Sequence, residues 1–197
     1  MKLLVVGDPH GYENIKHIAV PKDVDLILIV GDLANSDFVR NIQFRANEMG
    51  IKDWRKTFPK KELNKAYTGL VNSAISVLRH FNKFGKPIYF VNGNVMDTDH
   101  AKMKKHVLKY NPNIPDFRFA IKKLKNVENI SLKRIKFRGI KILGIPYFIG
   151  SDWVKGFKSK DVDKINSAKE QEPIIKKLLD ANKDIDIVLS HLPPYGI

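Results

Sequence analysis

LLVVGDPHG, residues 3–11, is the stretch that sets the fold. Four apolar residues, Leu3 to Val6, run without a polar break and stop on Gly7, Asp8, Pro9, His10 and Gly11. So short and unbroken a run reads as a strand covered on both faces, as in layered α/β proteins. Three further runs end in the same way: LILIV (26–30) on Gly31-Asp32, IYFV (88–91) on Asn92-Gly93-Asn94, and DIVLS (186–190) on His191. Ligands of open α/β sheets gather at the carboxyl ends of the strands. The four endings are therefore expected to bring oxygen and imidazole donors to one rim of one sheet. Each ending alone is ordinary, because Gly-Asp after a strand also makes a turn or a helix cap. Together they point to a metal site.

Working outward, the pattern predicts strand Lys2–Val6, a short helix Tyr12–Ala19 closed by Pro21, and strand Leu26–Val30. A helix is expected to open near Leu33 and to break at Gly50. After the basic, aromatic stretch Lys52–Lys61 comes a long helix, Glu62–Phe84. Its residues Leu63, Ala66, Tyr67, Leu70, Val71, Ala74, Ile75, Leu78 and Phe81 recur at helical spacing, and Gly85 and Pro87 end it. Strand Pro87–Val91 and a basic helix Asp99–Tyr110 follow, and Asn111–Asn126 shows no clean period. From Ile130 the sequence alternates through Leu132, Ile135 and Phe137, turns at Arg138-Gly139, and resumes at Ile140, Ile142 and Ile145. This is the signature of a hairpin with one polar face, an antiparallel edge or second sheet. A loop over Pro146–Val162 carries Tyr147, Phe148, Trp153 and Phe157, aromatics that pack on the core, line a cleft or meet a partner. Helix Ala168–Asn182 and strand Ile185–Ser190 complete the pattern.

The 197 residues, 43% hydrophobic, can bury a substantial core, and no repeat or linker divides them. A single domain, 1–197, is expected. No apolar run approaches the roughly 20 residues needed to cross a bilayer, and the N-terminal run reads as a strand, not a signal peptide. The chain has no cysteine, which excludes disulfides and thiolate metal sites and fits a cytoplasmic location.

The formal charge is +14, unevenly spread. Residues 101–141 hold thirteen Lys or Arg against Asp116 and Glu128, whereas residues 1–39 hold three lysines against six acids. The segment 101–141 is thus a candidate nucleic-acid-tracking face beside an acidic site. The bland reading is compositional bias, since Lys outnumbers Arg 28 to 7 and Ile reaches 22.

Asp8 and His10 are two residues apart on a loop stiffened by Pro9, a spacing that lets both reach one ion. Asp32 either caps the expected helix or, with two carboxylate oxygens, bridges two cations as a two-metal phosphoryl-transfer site requires. Asn94 offers a neutral amide oxygen. His191 taken alone would be a buried, hydrogen-bonded residue.

Asp8-Pro9-His10-Gly11, Gly31-Asp32, Gly93-Asn94 and Ser190-His191 stand in the order and setting of the calcineurin-like metallophosphoesterases, which this chain resembles over nearly its whole length. The resemblance implies an α/β fold, a β-sandwich flanked by helices (αββα). It implies two divalent metal ions, Mn, Fe, Ni or Zn, with Asp8 and His10 on the first, Asn94 and His191 on the second, and Asp32 between them. The implied activity is metal-dependent hydrolysis of a phosphate ester by a metal-bound hydroxide, with a phosphodiester or nucleotide as the expected substrate.

Two departures qualify the resemblance. The family's Gly-Asn-His-Asp/Glu reads Gly93-Asn94-Val95-Met96-Asp97 here. Val95 cannot transfer a proton, leaving Asp97, Asp99 and His100 as weak candidate acids. The family's last motif, Gly-His-x-His, is not found, so the domain is expected to be C-terminally incomplete and short of its last strands. An eroded motif also suits a non-catalytic binding module on the same fold, and the basic segment suits a nuclease.

Overall fold

The computed structural model describes residues 1–52, 54–95, 114–148, 150–156, 158, 160 and 162–192. Strands β1 (Leu3–Val6), β2 (Leu26–Ile29), β3 (Ile88–Phe90) and β4 (Val127–Asn129) form a parallel sheet in that order. β2 is central, its Leu28 paired with Val5 on one side and Tyr89 on the other. Its four residues are fully buried because alternate side chains serve two different cores. Ile27 and Ile29, with Ile88 and Phe90, pack against helices, whereas Leu26 and Leu28 face the second sheet.

The helical layer on the first face holds α1 (Tyr12–Ile15), α2 (Asp37–Glu48), α3 (Trp54–Thr57), α4 (Lys60–Asn82) and α5 (Phe117–Lys122). In α4 every apolar position of the helical repeat is buried, and Val77 and His80 join that face. Leu78 and Phe81 are wholly buried. Each such side chain contributes about 1.5–3 kcal/mol through burial, so Phe81→Ala is expected to cost about 3–5 kcal/mol. The basic stretch before α4 serves the same core, with Trp54 and Phe58 buried and the Arg55 guanidinium 4.4 Å from the Trp54 ring.

β5 (Arg134–Phe137), β6 (Ile140–Ile145) and β7 (Ile187–Ser190) make a second sheet, β5 antiparallel and β7 parallel to β6. The β5–β6 turn places Arg138 and Gly139 both at positive φ, the two-residue turn that matches strand twist. The inner face of this sheet packs Ile142 and Leu189 on Leu26, Leu28 and Val91. Its outer face packs Leu143 and Ile145 on Ile175 of α7 (Val162–Asp180). Helix α6 (Ser151–Gly156) precedes α7. The order of layers is helix, sheet, sheet, helix, the expected αββα class.

The strand carrying His191 corrects the single-sheet expectation. β7 belongs to the second sheet, so the four endings come from both sheets of the sandwich and meet where their carboxyl ends open on a shared rim. Three local expectations also shift. No helix starts at Leu33; α2 begins at Asp37, which removes the helix-cap explanation of Asp32. The aperiodic 111–126 region contains α5, capped by the Asp116 carboxylate accepting from the Phe119 N–H at 3.1 Å. The alternation from Ile130 to Phe137 is not one strand, because Leu132 turns to a φ of 59° and separates β4 from β5. The expected helix Asp99–Tyr110, with Asp97, Asp99 and His100, lies outside the described residues, as does Phe157.

Candidate metal centre

The loops after β1 and β2 prolong the pairing of their strands. The His10 N–H donates to the Asp32 carbonyl and the Gly11 N–H to that of Leu33, both at 2.9 Å. These bonds hold an unusual backbone. Asp8, His10 and Asp32 have φ of 34°, 45° and 45° and make up three of the six non-glycine residues at positive φ among the described residues. Asp and His tolerate this region better than most, yet such conformations cost on the order of 1 kcal/mol or more each and persist where the surroundings enforce them.

Asp32 is the centre of the arrangement, with only 5% of its surface exposed. Its Oδ1 accepts from the Val95 N–H at 2.9 Å. Its two oxygens face different histidines: Oδ2 is 3.7 Å from His10 Nε2, and Oδ1 is 3.8 Å from His191 Nε2. The close approach of the β3 ending depends on glycine. A Cβ on Gly93 would meet Asp32 Oδ1 at 2.1 Å, and one on Gly31 would meet His191 Nδ1 at 2.7 Å.

His191 arrives from the second sheet, its N–H donating to the Ile145 carbonyl at 3.3 Å. Its Nδ1 lies 2.9 Å from the Val30 carbonyl, which can only accept, so the proton sits on Nδ1. Nε2 then presents a lone pair to Asn94 Oδ1 at 2.9 Å, with Asp32 Oδ1 close behind. Asn94 Oδ1 and Asp32 Oδ1, the latter already accepting from the Val95 N–H, thus both lie on the Nε2 side of the ring. Asp8, 53% of its side chain exposed, brings Oδ1 within 3.6 Å of His191 Nδ1. Among the described residues no three His, Cys, Asp or Glu side chains form a metal-holding group by themselves; the convergent set needs the Asn94 amide. Nitrogen and oxygen donors of this mixture suit divalent ions of intermediate hardness.

Sequence reasoning leaves several supporting residues unassigned. The Asn92 N–H donates to Ser131 Oγ at 2.9 Å, its Oδ1 accepts from Asn129 Nδ2 at 2.8 Å, and its carbonyl accepts the Tyr147 N–H at 2.8 Å. This polar knot ties the β3 ending to the chain leaving β6. Its only sequence signal is a buried-type position occupied by Asn at the end of an apolar run. Tyr147 places its ring edge-on to His191, centroids 5.8 Å apart. Burial first, and the Asp32 charge second, push its phenol above the ordinary value of 10.0. Val95 is partly buried and packs on the helix-side core.

The whole chain, residues 1–197, matches the family model described as calcineurin-like phosphoesterase. The chain belongs to the calcineurin-like phosphoesterase family. No curated protein matches this phosphoesterase. One solved structure superposes with a TM-score of 0.58 at 13% identity, covering 98% of this chain and 70% of its own, and shows a shared fold. Another, TT1561 of Thermus thermophilus, gives 0.48 at 15% identity, with 98% and 68% covered. At the level of reaction class, membership makes this a metal-dependent phosphoesterase with phosphate-ester substrates. The family generally binds divalent metal ions. No helix among the described residues of the phosphoesterase is long and apolar enough to cross a membrane.

Proposed function

We propose that this phosphoesterase holds two divalent ions, Asp8 and His10 on one, Asn94 and His191 on the other, with Asp32 shared, and that it hydrolyses phosphodiesters or nucleotides. The observation that carries this reading is the placement of Asp32, whose Oδ2 faces His10 and whose Oδ1 faces His191 at nearly equal distances of 3.7 and 3.8 Å. A carboxylate that merely stabilised the loop would have no reason to divide its oxygens between two imidazoles.

When bound, such ions lower the pKa of water and offset the negative charge that grows on a phosphoryl group during transfer. The chain's own residues prepare that site. Val95 N–H fixes the rotation of the Asp32 carboxylate, and the Val30 carbonyl fixes the tautomer of His191 so that Nε2 is the donor nitrogen. Gly31 and Gly93 let three loops approach closely enough for these contacts. The sandwich core beneath holds both sheets in place, so the donors are positioned before substrate arrives.

The aliphatic residue at position 95 supports the phosphodiester or nucleotide preference, because substrates with good leaving groups depend least on a protonating side chain. The described part of the basic segment supports a nuclease less well. Arg134 and Lys141 pair with Asp184, Arg138 with Asp25, and Lys133 with Glu128, so part of that charge is locally answered. The absence of cysteine is in keeping with a cytoplasmic setting, where structural disulfides are rare. The test is hydrolysis of bis-p-nitrophenyl phosphate with Mn²⁺ or Ni²⁺. Activity abolished by Asp32→Ala is expected; inactivity of the unaltered protein with every divalent ion tried would overturn the proposal.

A further inference from the structure

Residue 95 carries no group that can donate to a substrate, yet the same rim presents a phenol. Tyr147 follows β6 directly and is pinned there twice, by its N–H on the Asn92 carbonyl at 2.8 Å and by its ring edge on His191. Its backbone anchor, Asn92, belongs to the β3 ending and its ring meets His191 of the β7 ending, one of the two residues proposed for the second ion. The ring is partly exposed, and among the described residues no hydrogen bond occupies its hydroxyl.

We infer that the Tyr147 hydroxyl donates a hydrogen bond to a non-bridging phosphoryl oxygen of the substrate, a catalytic contact supplied from the second sheet where residue 95 supplies none. The inference rests on the proposed phosphoesterase site. Its chemistry is that of a hydroxyl donor, an O–H offered to an anionic oxygen. A phosphoryl oxygen gains charge during transfer, and a donor fixed beforehand strengthens its bond as that charge grows. No proton need change hands.

Tyr147→Phe isolates the hydroxyl, because phenylalanine keeps the ring contact with His191 and leaves the backbone bond to Asn92 untouched. Three quantities are compared in the Mn²⁺-loaded protein and this variant: metal content, affinity for inorganic phosphate by calorimetry, and kcat/KM for aryl phosphodiesters from p-nitrophenyl to phenyl esters. The expected result is unchanged metal content, phosphate bound about ten-fold or more weakly as befits a lost hydrogen bond to a charged group, and a similar loss of kcat/KM for every leaving group. Phosphate affinity and kcat/KM equal to those of the unaltered protein would overturn the inference while leaving the phosphoesterase reading intact. Loss of bound metal in the variant would also overturn it, reducing Tyr147 to a support for His191. An unaltered protein that neither binds phosphate nor cleaves any ester would overturn both readings together.

Discussion

Gly93 and Asp32 are packed so closely that a Cβ at position 93 would stand 2.1 Å from Asp32 Oδ1 and 2.3 Å from the Asp32 backbone nitrogen. The atoms in the way are the carboxylate itself and its main chain, neither of which has room to yield, since Asp32 is buried and its Oδ1 is held by Val95 N–H. Gly93→Ala must therefore rotate the carboxylate or move the β3 loop. Overpacking of this kind costs about 1–3 kcal/mol of stability, and the loss of donor geometry costs more in function. The expected outcome is a protein that still folds, with a lowered melting temperature, and that retains little Mn²⁺ after dialysis. Metal retention at the level of the unaltered protein would show that Asp32 does not need its present orientation.

The strained backbone at the rim makes a second prediction, in which stability and function part. Asp8 adopts a φ of 34° with an exposed side chain, so its carboxylate adds little to packing. Asp8→Gly relieves the conformational cost and should leave thermal stability unchanged or raise it by up to about 1 kcal/mol. The same change removes a proposed ligand and should weaken metal binding. Differential scanning calorimetry of the metal-free protein and a metal titration of the same samples check the two halves separately.

A third prediction concerns pH. The Asp25 carboxyl is held below its ordinary value of 3.8, first by the Lys2 N–H donating to it at 2.8 Å and then by the Arg138 guanidinium. A carboxyl whose folded value is lowered stabilises the fold at pH above the unfolded value, and that contribution is lost as pH falls through the folded value. Asp25 joins the start of β1 to the β5–β6 turn, one sheet to the other. Asp25→Asn should therefore melt at a lower temperature than the unaltered protein at pH 7, and the two curves should converge below about pH 3.8. The effect will be small because the pair is solvent-exposed. A difference that persists undiminished into acid would assign the effect to packing instead of charge.

The sequence shows the layers and the donors more clearly than the connections between them. Continuous apolar runs identify β2 and β3 because both faces of the sheet are covered there, and the spacing of Leu63 to Phe81 identifies α4 because one face of it is; β1 is found by the same signal, but as an edge strand it is not covered on both faces as its run suggested, and Val5 stands 59% exposed. The polar strand Val-Glu-Asn of β4 has no such signature; it exists through its pairing with β3, a long-range contact that sets Val127 beside Ile88. Nor does periodicity say with which strand β7 pairs, so the pattern alone puts His191 on the first sheet. Its donors reach the site all the same, since the carboxyl ends of both sheets open on one rim. The five ligand candidates are readable as residue types at strand endings. Tyr147 is readable only as one aromatic among four, since what sets it apart is the backbone bond to Asn92 and the ring contact with His191, both of them long-range.

The central claim is that Asp32 shares two cations with the histidines it faces, and metal stoichiometry tests it most directly. Protein prepared without chelators, equilibrated with Mn²⁺ and freed of excess ion, is compared with Asp32→Ala by mass spectrometry under non-denaturing conditions. About two ions per chain are expected in the unaltered protein and fewer than about one in the variant, as removal of a shared ligand weakens both sites. An unaltered protein that retains no ion, or a variant that retains as many as its parent, would contradict it.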